Sequence, residues 1–148
     1  MKKAIAMADN CIDVYYRMDR YYLTGNSIDF ALNYKAQGGD VTEMTVLGND
    51  VFADALVERL KQRDIPLRVL KKIDRPTGMA YDAVNRRLLV ADTGKHQIVM
   101  LSPTGELLAR LGERGTGLGQ FNFPTNIALD PQGRFYVSDS LNFRVQQF

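Results

Sequence analysis

The chain has 148 residues, 45% of them apolar and 24% charged, with a formal net charge of +2. That is enough for one domain or two very small ones. The charge is too small to argue for nucleic acid by itself. The single cysteine, Cys11, excludes an internal disulfide and fits a cytoplasmic setting.

No apolar run approaches the roughly 18 residues that a membrane span requires. The opening Met1–Ala8 is too short for the apolar core of a signal peptide and is ended by Asp9. Ala4–Ala8 suits a strand buried on both faces. Ile12–Leu23, rich in tyrosine and other strand formers, predicts one or two lid strands. After Thr24-Gly25-Asn26, residues Ile28, Ala31, Leu32 and Ala36 recur at helical spacing until Gly38-Gly39 stops them. Val41–Leu47 reads as a second buried strand. Phe52, Ala55, Leu56, Val57 and Leu60 predict an amphipathic helix. This order suggests an α/β unit with a parallel sheet.

Ala8-Asp9-Asn10-Cys11-Ile12-Asp13 resembles the Gly-Asp-Asn-Cys-x-Asp opening of fructoselysine 6-kinase-like members of the PfkB sugar-kinase family. Asp29-Phe30-Ala31, then Gly38 and Gly48, meet both spacings of that family's first signature. The resemblance covers residues 1–70 and implies a ribokinase-like fold. It also implies a sugar site at Asp9, Asp13, Gly25, Asn26 and Asp29. The types suit a sugar: carboxylates accept hydroxyl hydrogen bonds, Asn26 both donates and accepts, and Gly25 lets the backbone approach. Thr24 stands where the family has Gly, and Asp29 where it has Asn. The late Gly-Ala-Gly-Asp segment that carries the family's catalytic base and phosphate-binding helix does not occur. No cofactor is therefore expected. ATP and magnesium would follow only from an intact kinase, and no catalytic residue is assigned. The glycine-rich run Gly112–Gly119 lacks a following Lys-Ser/Thr and is no phosphate loop.

The charge shifts from −1 over residues 1–70 to +3 over residues 71–148. There the sequence repeats. Pro76-Thr77-Gly78-Met79-Ala80-Tyr81-Asp82 aligns with Pro124-Thr125-Asn126-Ile127-Ala128-Leu129-Asp130 at an offset of 48. Leu88–Thr93 aligns with Phe135–Ser140, and Ile98-Val99 with Val145-Gln146, at 47. Asn85-Arg86 and Gln132-Gly133-Arg134 predict turns. Ser102–Glu106 predicts a hairpin turn before a strand over Leu107–Leu111. With Gly117-Leu118-Gly119-Gln120-Phe121-Asn122-Phe123-Pro124, the pattern resembles NHL β-propeller repeats.

Asp92 and Asp139, each at a strand end before Thr93 or Ser140, read as turn caps rather than metal ligands. His96, the only histidine, aligns with Phe143 and reads as a packing residue. One histidine cannot furnish a histidine cluster or a Ser-His-Asp set.

The expectation is an α+β chain with two parts. Residues 1–70 form a PfkB-like α/β segment, and residues 71–148 form two propeller blades. The pairing of two partial patterns points to a chimera or a truncated reading. Two blades leave open edges, so self-association is expected. A weakly held sugar, a protein or an RNA is the further partner expected, and a membrane is not.

Overall fold

The computed structural model describes residues 3–7, 11–15, 17 and 20–148; at 11–15, 20, 21 and 23 only the backbone is described. The chain is mostly β-sheet with two helices. It forms two compact units, Met1–Val69 and Leu70–Phe148.

In the first unit, β1 (Lys3–Ala6) pairs in parallel with β4 (Asp40–Leu47). The strand β5 (Leu67–Lys72), which the sequence reading did not anticipate, extends the sheet in the order β1-β4-β5. The strand β1 lies at the sheet's edge and is not buried on both faces as expected: Ile5 is 67% exposed, whereas Ala6 points into the core. The region expected to give one or two lid strands forms an antiparallel hairpin of β2 (Cys11–Tyr15) and β3 (Arg20–Thr24), in which Asp13 is opposite Tyr22.

The helix α1 (Asn26–Ala36) ends where the glycines predicted. Gly38, at φ 80°, donates its amide to the Lys35 carbonyl at 2.9 Å, and Gly39 donates to Tyr34 at 2.9 Å. This satisfies carbonyls that a helix end leaves without partners. The helix α2 (Val51–Gln62) starts at Asp50, whose side chain accepts from the Phe52 and Ala53 amides at 3.1 and 2.9 Å. Its buried stripe is Ala53, Leu56 and Leu60, at spacings of three and four. Phe52 and Val57, expected on that stripe, face outward. Ile28, Ala31, Val41, Leu47, Leu56, Leu60 and Ile65 close the core. Complete burial of a residue such as Ile28 or Leu60 contributes about 2 kcal/mol.

The second unit contains two antiparallel meanders. The first repeat runs β6 (Pro76–Asp82), β7 (Arg87–Asp92), β8 (Gln97–Leu101) and β9 (Leu107–Leu111) in sequential order. The second runs β10 (Pro124–Leu129), β11 (Phe135–Asp139) and β12 (Arg144–Gln147). Each first strand carries an irregularity at the same place, between Pro76 and Met79 and between Pro124 and Ile127. The predicted hairpin turn forms at Ser102–Glu106, with Gly105 at φ 92°. Leu89, Ala91, Ile98 and Met100 of the first repeat pack with Phe121, Phe135 and Val137 of the second. Among the described residues no helix is long and apolar enough to cross a membrane.

Candidate functional site

The residues singled out in the first unit gather at the start of α1. Gly25 sits at φ 116° and ψ 151°, a conformation open essentially to glycine alone. Its carbonyl accepts the Asp29 amide at 3.0 Å, which closes the first helical turn. Asn26 and Asp29 are exposed on that turn. The Asp29 carbonyl accepts from the Asn33 side chain at 2.8 Å. Asp13 lies on the β2–β3 hairpin, whose last pair, Cys11 with Thr24, immediately precedes Gly25. Asp9 lies outside the described residues. The helix start thus unites Gly25, Asn26 and Asp29, and Asp13 belongs to the hairpin that leads into it.

Glu43 escaped the sequence reading. It is fully buried in β4, and its carboxylate accepts the hydroxyl hydrogen of Ser27, the second residue of α1. The pair ties the helix start to the central strand. Its only signal in the sequence is one acid within the run Val41–Leu47.

In the second unit the two aspartates have hydrogen-bonding roles. Asp92 accepts the Arg75 amide at 3.1 Å and the Gln97 side-chain amide at 2.9 Å. At the equivalent place, Asp139 accepts the Asn122 amide at 2.6 Å and the side chains of Asn142, Arg144 and Gln146 at 2.9, 2.8 and 3.2 Å. Both lock the chain entering a repeat onto the end of its second strand. Burial pushes the Asp139 carboxyl up. Bonds from Asn122, Asn142 and Arg144 outweigh that and hold it below its ordinary 3.8. Asp82 is likewise raised by burial and held below 3.8 by Asn85 and Arg87. Among the described residues no three of His, Cys, Asp and Glu are grouped to hold a metal ion.

The glycine-rich run is a clamped loop. The Gly115 amide donates to Phe121, Gly117 to the Gln120 side chain, and Gly119 to the Gln146 side chain, at 3.0–3.1 Å. Arg144 donates to the carbonyls of Thr116, Gly117 and Gln120 at 2.7, 2.6 and 2.9 Å. Those three amides point into the protein's own acceptors, which removes the means by which a phosphate loop works.

His96 ends a short 3-10 turn (Thr93–Lys95) in left-handed conformation, as Phe143 does after Ser140–Asn142. It packs, as expected, edge-on against Phe123 with ring centres 6.0 Å apart. It also does more, because its Nδ1 accepts the Phe123 amide at 3.1 Å. Arg75 lies over the other partner of this contact, 5.4 Å from the Phe123 ring centre.

The NHL repeat family model matches residues 74–100 and 121–148. NHL repeat-containing protein 3 of Mus musculus is 34% identical over 79 residues, covering 52% of this chain and 23% of that protein. Its Homo sapiens counterpart is 36% identical over 72 residues, covering 41% and 21%. Fructosamine kinase FrlD of Bacillus subtilis (strain 168) is 27% identical over 109 residues, covering 74% and 36%. That last match is longer than the first unit and therefore runs past Val69. The chain spans only 21–36% of the length of these relatives. It carries two NHL repeats at residues 74–100 and 121–148, and it is similar over part of its length to a fructosamine kinase.

Proposed function

We propose that this chain is a non-catalytic binding protein whose NHL repeats, as two propeller blades, engage a protein partner or another copy of the chain. The observation that carries this reading is the pair of NHL repeats at residues 74–100 and 121–148, which pack on one another through Leu89, Ala91, Ile98, Phe121 and Val137. Repeats of this kind gain stability from their neighbours and present a surface to partners. Light scattering behind size-exclusion chromatography tests the assembly form of the reading. A species heavier than 16.7 kDa that dissociates on dilution is expected. A concentration-independent monomer, together with no protein partner recovered, would overturn the proposal.

A second reading is supported by the similarity to the fructosamine kinase. In it the first unit keeps part of a sugar site at Asp9, Asp13, Gly25, Asn26 and Asp29, without the apparatus for phosphoryl transfer. Positioning and charge stabilisation supply most of that chemistry, and the chain contains no Gly-Ala-Gly-Asp run. Calorimetry with fructoselysine should give a Kd no tighter than about 1 mM, or roughly −4 kcal/mol. Sugar-dependent turnover of ATP, abolished by Asp13→Ala, would show instead that the chain is a kinase.

A further inference from the structure

We propose that His96 is a pH-operated latch between the two repeats, closed while its ring is neutral and opened by a proton. Phe123 is the residue it holds. The Phe123 amide donates to His96 Nδ1 at 3.1 Å, and the Phe123 carbonyl accepts the Ser140 amide at 3.2 Å. One residue thus ties the turn Thr93–Lys95, which His96 ends, to the turn Ser140–Asn142 of the second repeat. The neighbouring Asn122 carbonyl accepts the Leu141 amide at 2.9 Å. Phe123 stands at φ 63°, a left-handed conformation that a residue of its size seldom adopts. Contacts from its surroundings must hold it there.

A backbone amide can only donate. The Nδ1 that accepts it must carry a lone pair, which places the proton of the neutral ring on Nε2. A proton taken up from solvent goes to Nδ1 and uses that same lone pair. The imidazolium then has two donors and no acceptor. The part-buried Phe123 amide loses its partner and faces a donor. The other bonds to this segment come from hydroxyls. Thr93 donates to the Pro124 carbonyl at 2.5 Å, and Thr77 to the Thr125 carbonyl at 3.1 Å. Protonation therefore frees Phe123, and with it the tie to Ser140, while the repeats stay joined at Pro124 and Thr125.

The charges nearby favour opening. Lys95 precedes His96 on its own turn, and the Arg75 guanidinium lies 5.4 Å from the Phe123 ring centre. A proton on His96 adds a third cation to this group. Of the carboxylates, Asp92 is engaged by the Arg75 amide and Gln97. Asp139 is engaged by the Asn122 amide, Asn142 and Arg144. Asp74 lies beside Gly94, two residues before His96, and is the carboxylate toward which a released imidazolium would turn. Asn122, Phe123 and Pro124 carry no charge.

The test is an NMR titration of the whole labelled chain between about pH 8 and 5, the range in which histidine ordinarily changes charge. His96 is the only histidine, so the ring signals need no sorting. At the upper end they should show the proton on Nε2. As pH falls, the amides of Phe123, Ser140 and Leu141 should move together, with the midpoint of the His96 ring. His96→Gln supplies a carbonyl acceptor that does not titrate. In that variant the three amides should stay still, and the melting temperature should fall by about 4 °C less than the parent's over the same range. The proposal falls if the neutral ring carries its proton on Nδ1, or if the Phe123 and Ser140 amides ignore the titration of the ring. Both of these are read on the parent chain. It falls equally if His96→Gln keeps the parent's pH response, which would place the response in another group.

Discussion

The two NHL repeats share one hydrogen-bonded frame but differ in what surrounds it. Strand β7 is buried from Leu88 to Asp92, so both its faces are covered; strand β11 alternates, with Phe135, Val137 and Asp139 buried and Tyr136 and Ser138 partly exposed. The strands paired beside them follow suit: Ile98–Leu101 is buried throughout, whereas Val145 and Gln147 are exposed. An apolar run and an alternating run thus encode the same strand in two environments. The second repeat compensates through polar chemistry. Its entering loop is held by Asp139, Arg144 and Gln146, while the first repeat uses only Asp92 and Gln97 at the same places.

The largest expected effect follows from that asymmetry. Asp139→Ala removes a buried carboxylate and leaves Arg144 facing carbonyls without its counter-ion, which should cost about 3 kcal/mol. Asp92→Ala leaves only neutral donors behind and should cost about half as much. Urea unfolding of the two variants measures the difference, and equal losses would dissolve the comparison. The same carboxylate sets an acid limit. The folded-state values of Asp139 and Asp82 lie below 3.8, so their contribution is complete above that pH. It should fade as pH falls from 3.8 through the lower folded values. In Asp139→Ala a denaturation series from pH 5 to 2 should decline less steeply.

Next comes the loop clamp. Arg144→Gln gives the second repeat the residue that the first has at position 97. It forfeits charge-assisted bonds to three carbonyls, for an expected loss of about 2 kcal/mol. Gln97→Arg, the reverse exchange, has no glycine-rich loop to hold and should change stability by less than about 0.5 kcal/mol. Hydrogen exchange at Gly115, Gly117 and Gly119 locates the effect: it should quicken in Arg144→Gln alone.

How legible this was depended on the kind of signal. The repeat frame was readable because its residues recur at fixed spacing and each meets the same backbone need. Pro76 and Pro124, Asp92 and Asp139, and the turns at Asn85-Arg86 and Gln132–Arg134 fell where the pattern placed them. Helix α1 was readable from its stop, Gly38-Gly39, and α2 from the apolar spacing that includes Leu56 and Leu60. The faces were not. Ile5, Phe52 and Val57 are apolar yet exposed, because apolar spacing locates an element without showing which side has a neighbour. The strand β5 was missed because Leu67–Lys72 alternates weakly and carries Arg68, Lys71 and Lys72. Of the proposed sugar-site residues, Gly25 takes the special backbone conformation that its type invites. The exposed positions of Asn26 and Asp29 followed only from the helix start. Glu43 went unnoticed because a lone acid in an apolar strand has no periodic signature, and its meaning lies in Ser27 across the core.

Gly78 and Asn126 occupy equivalent positions, and their difference is steric. A Cβ on Gly78 would lie 2.2 Å from the Thr125 carbonyl oxygen, so β6 and β10 approach too closely for any side chain there. Asn126 is exposed on β10. Gly78→Ala should force the repeats apart at a cost of about 1.5 kcal/mol, whereas Asn126→Ala should stay within about 0.5 kcal/mol. Thermal unfolding of both variants separates them. A neutral Gly78→Ala would mean that the repeats slide past one another more freely than their hydroxyl bonds suggest.

The last comparison concerns His96 and Phe143. The two residues share a left-handed conformation and an aromatic ring, and differ in one ring acceptor. His96→Phe keeps the packing on Phe123 and removes the partner of its amide, which is part-buried and sits in a chain held at φ 63°. One neutral hydrogen bond is worth about 1 kcal/mol, with a further penalty when its donor is left without water. The expected loss is therefore about 1–2 kcal/mol. Faster hydrogen exchange should be confined to the Phe123 amide and its neighbours. Phe143→His, at a position 91% exposed, should be neutral within about 0.5 kcal/mol.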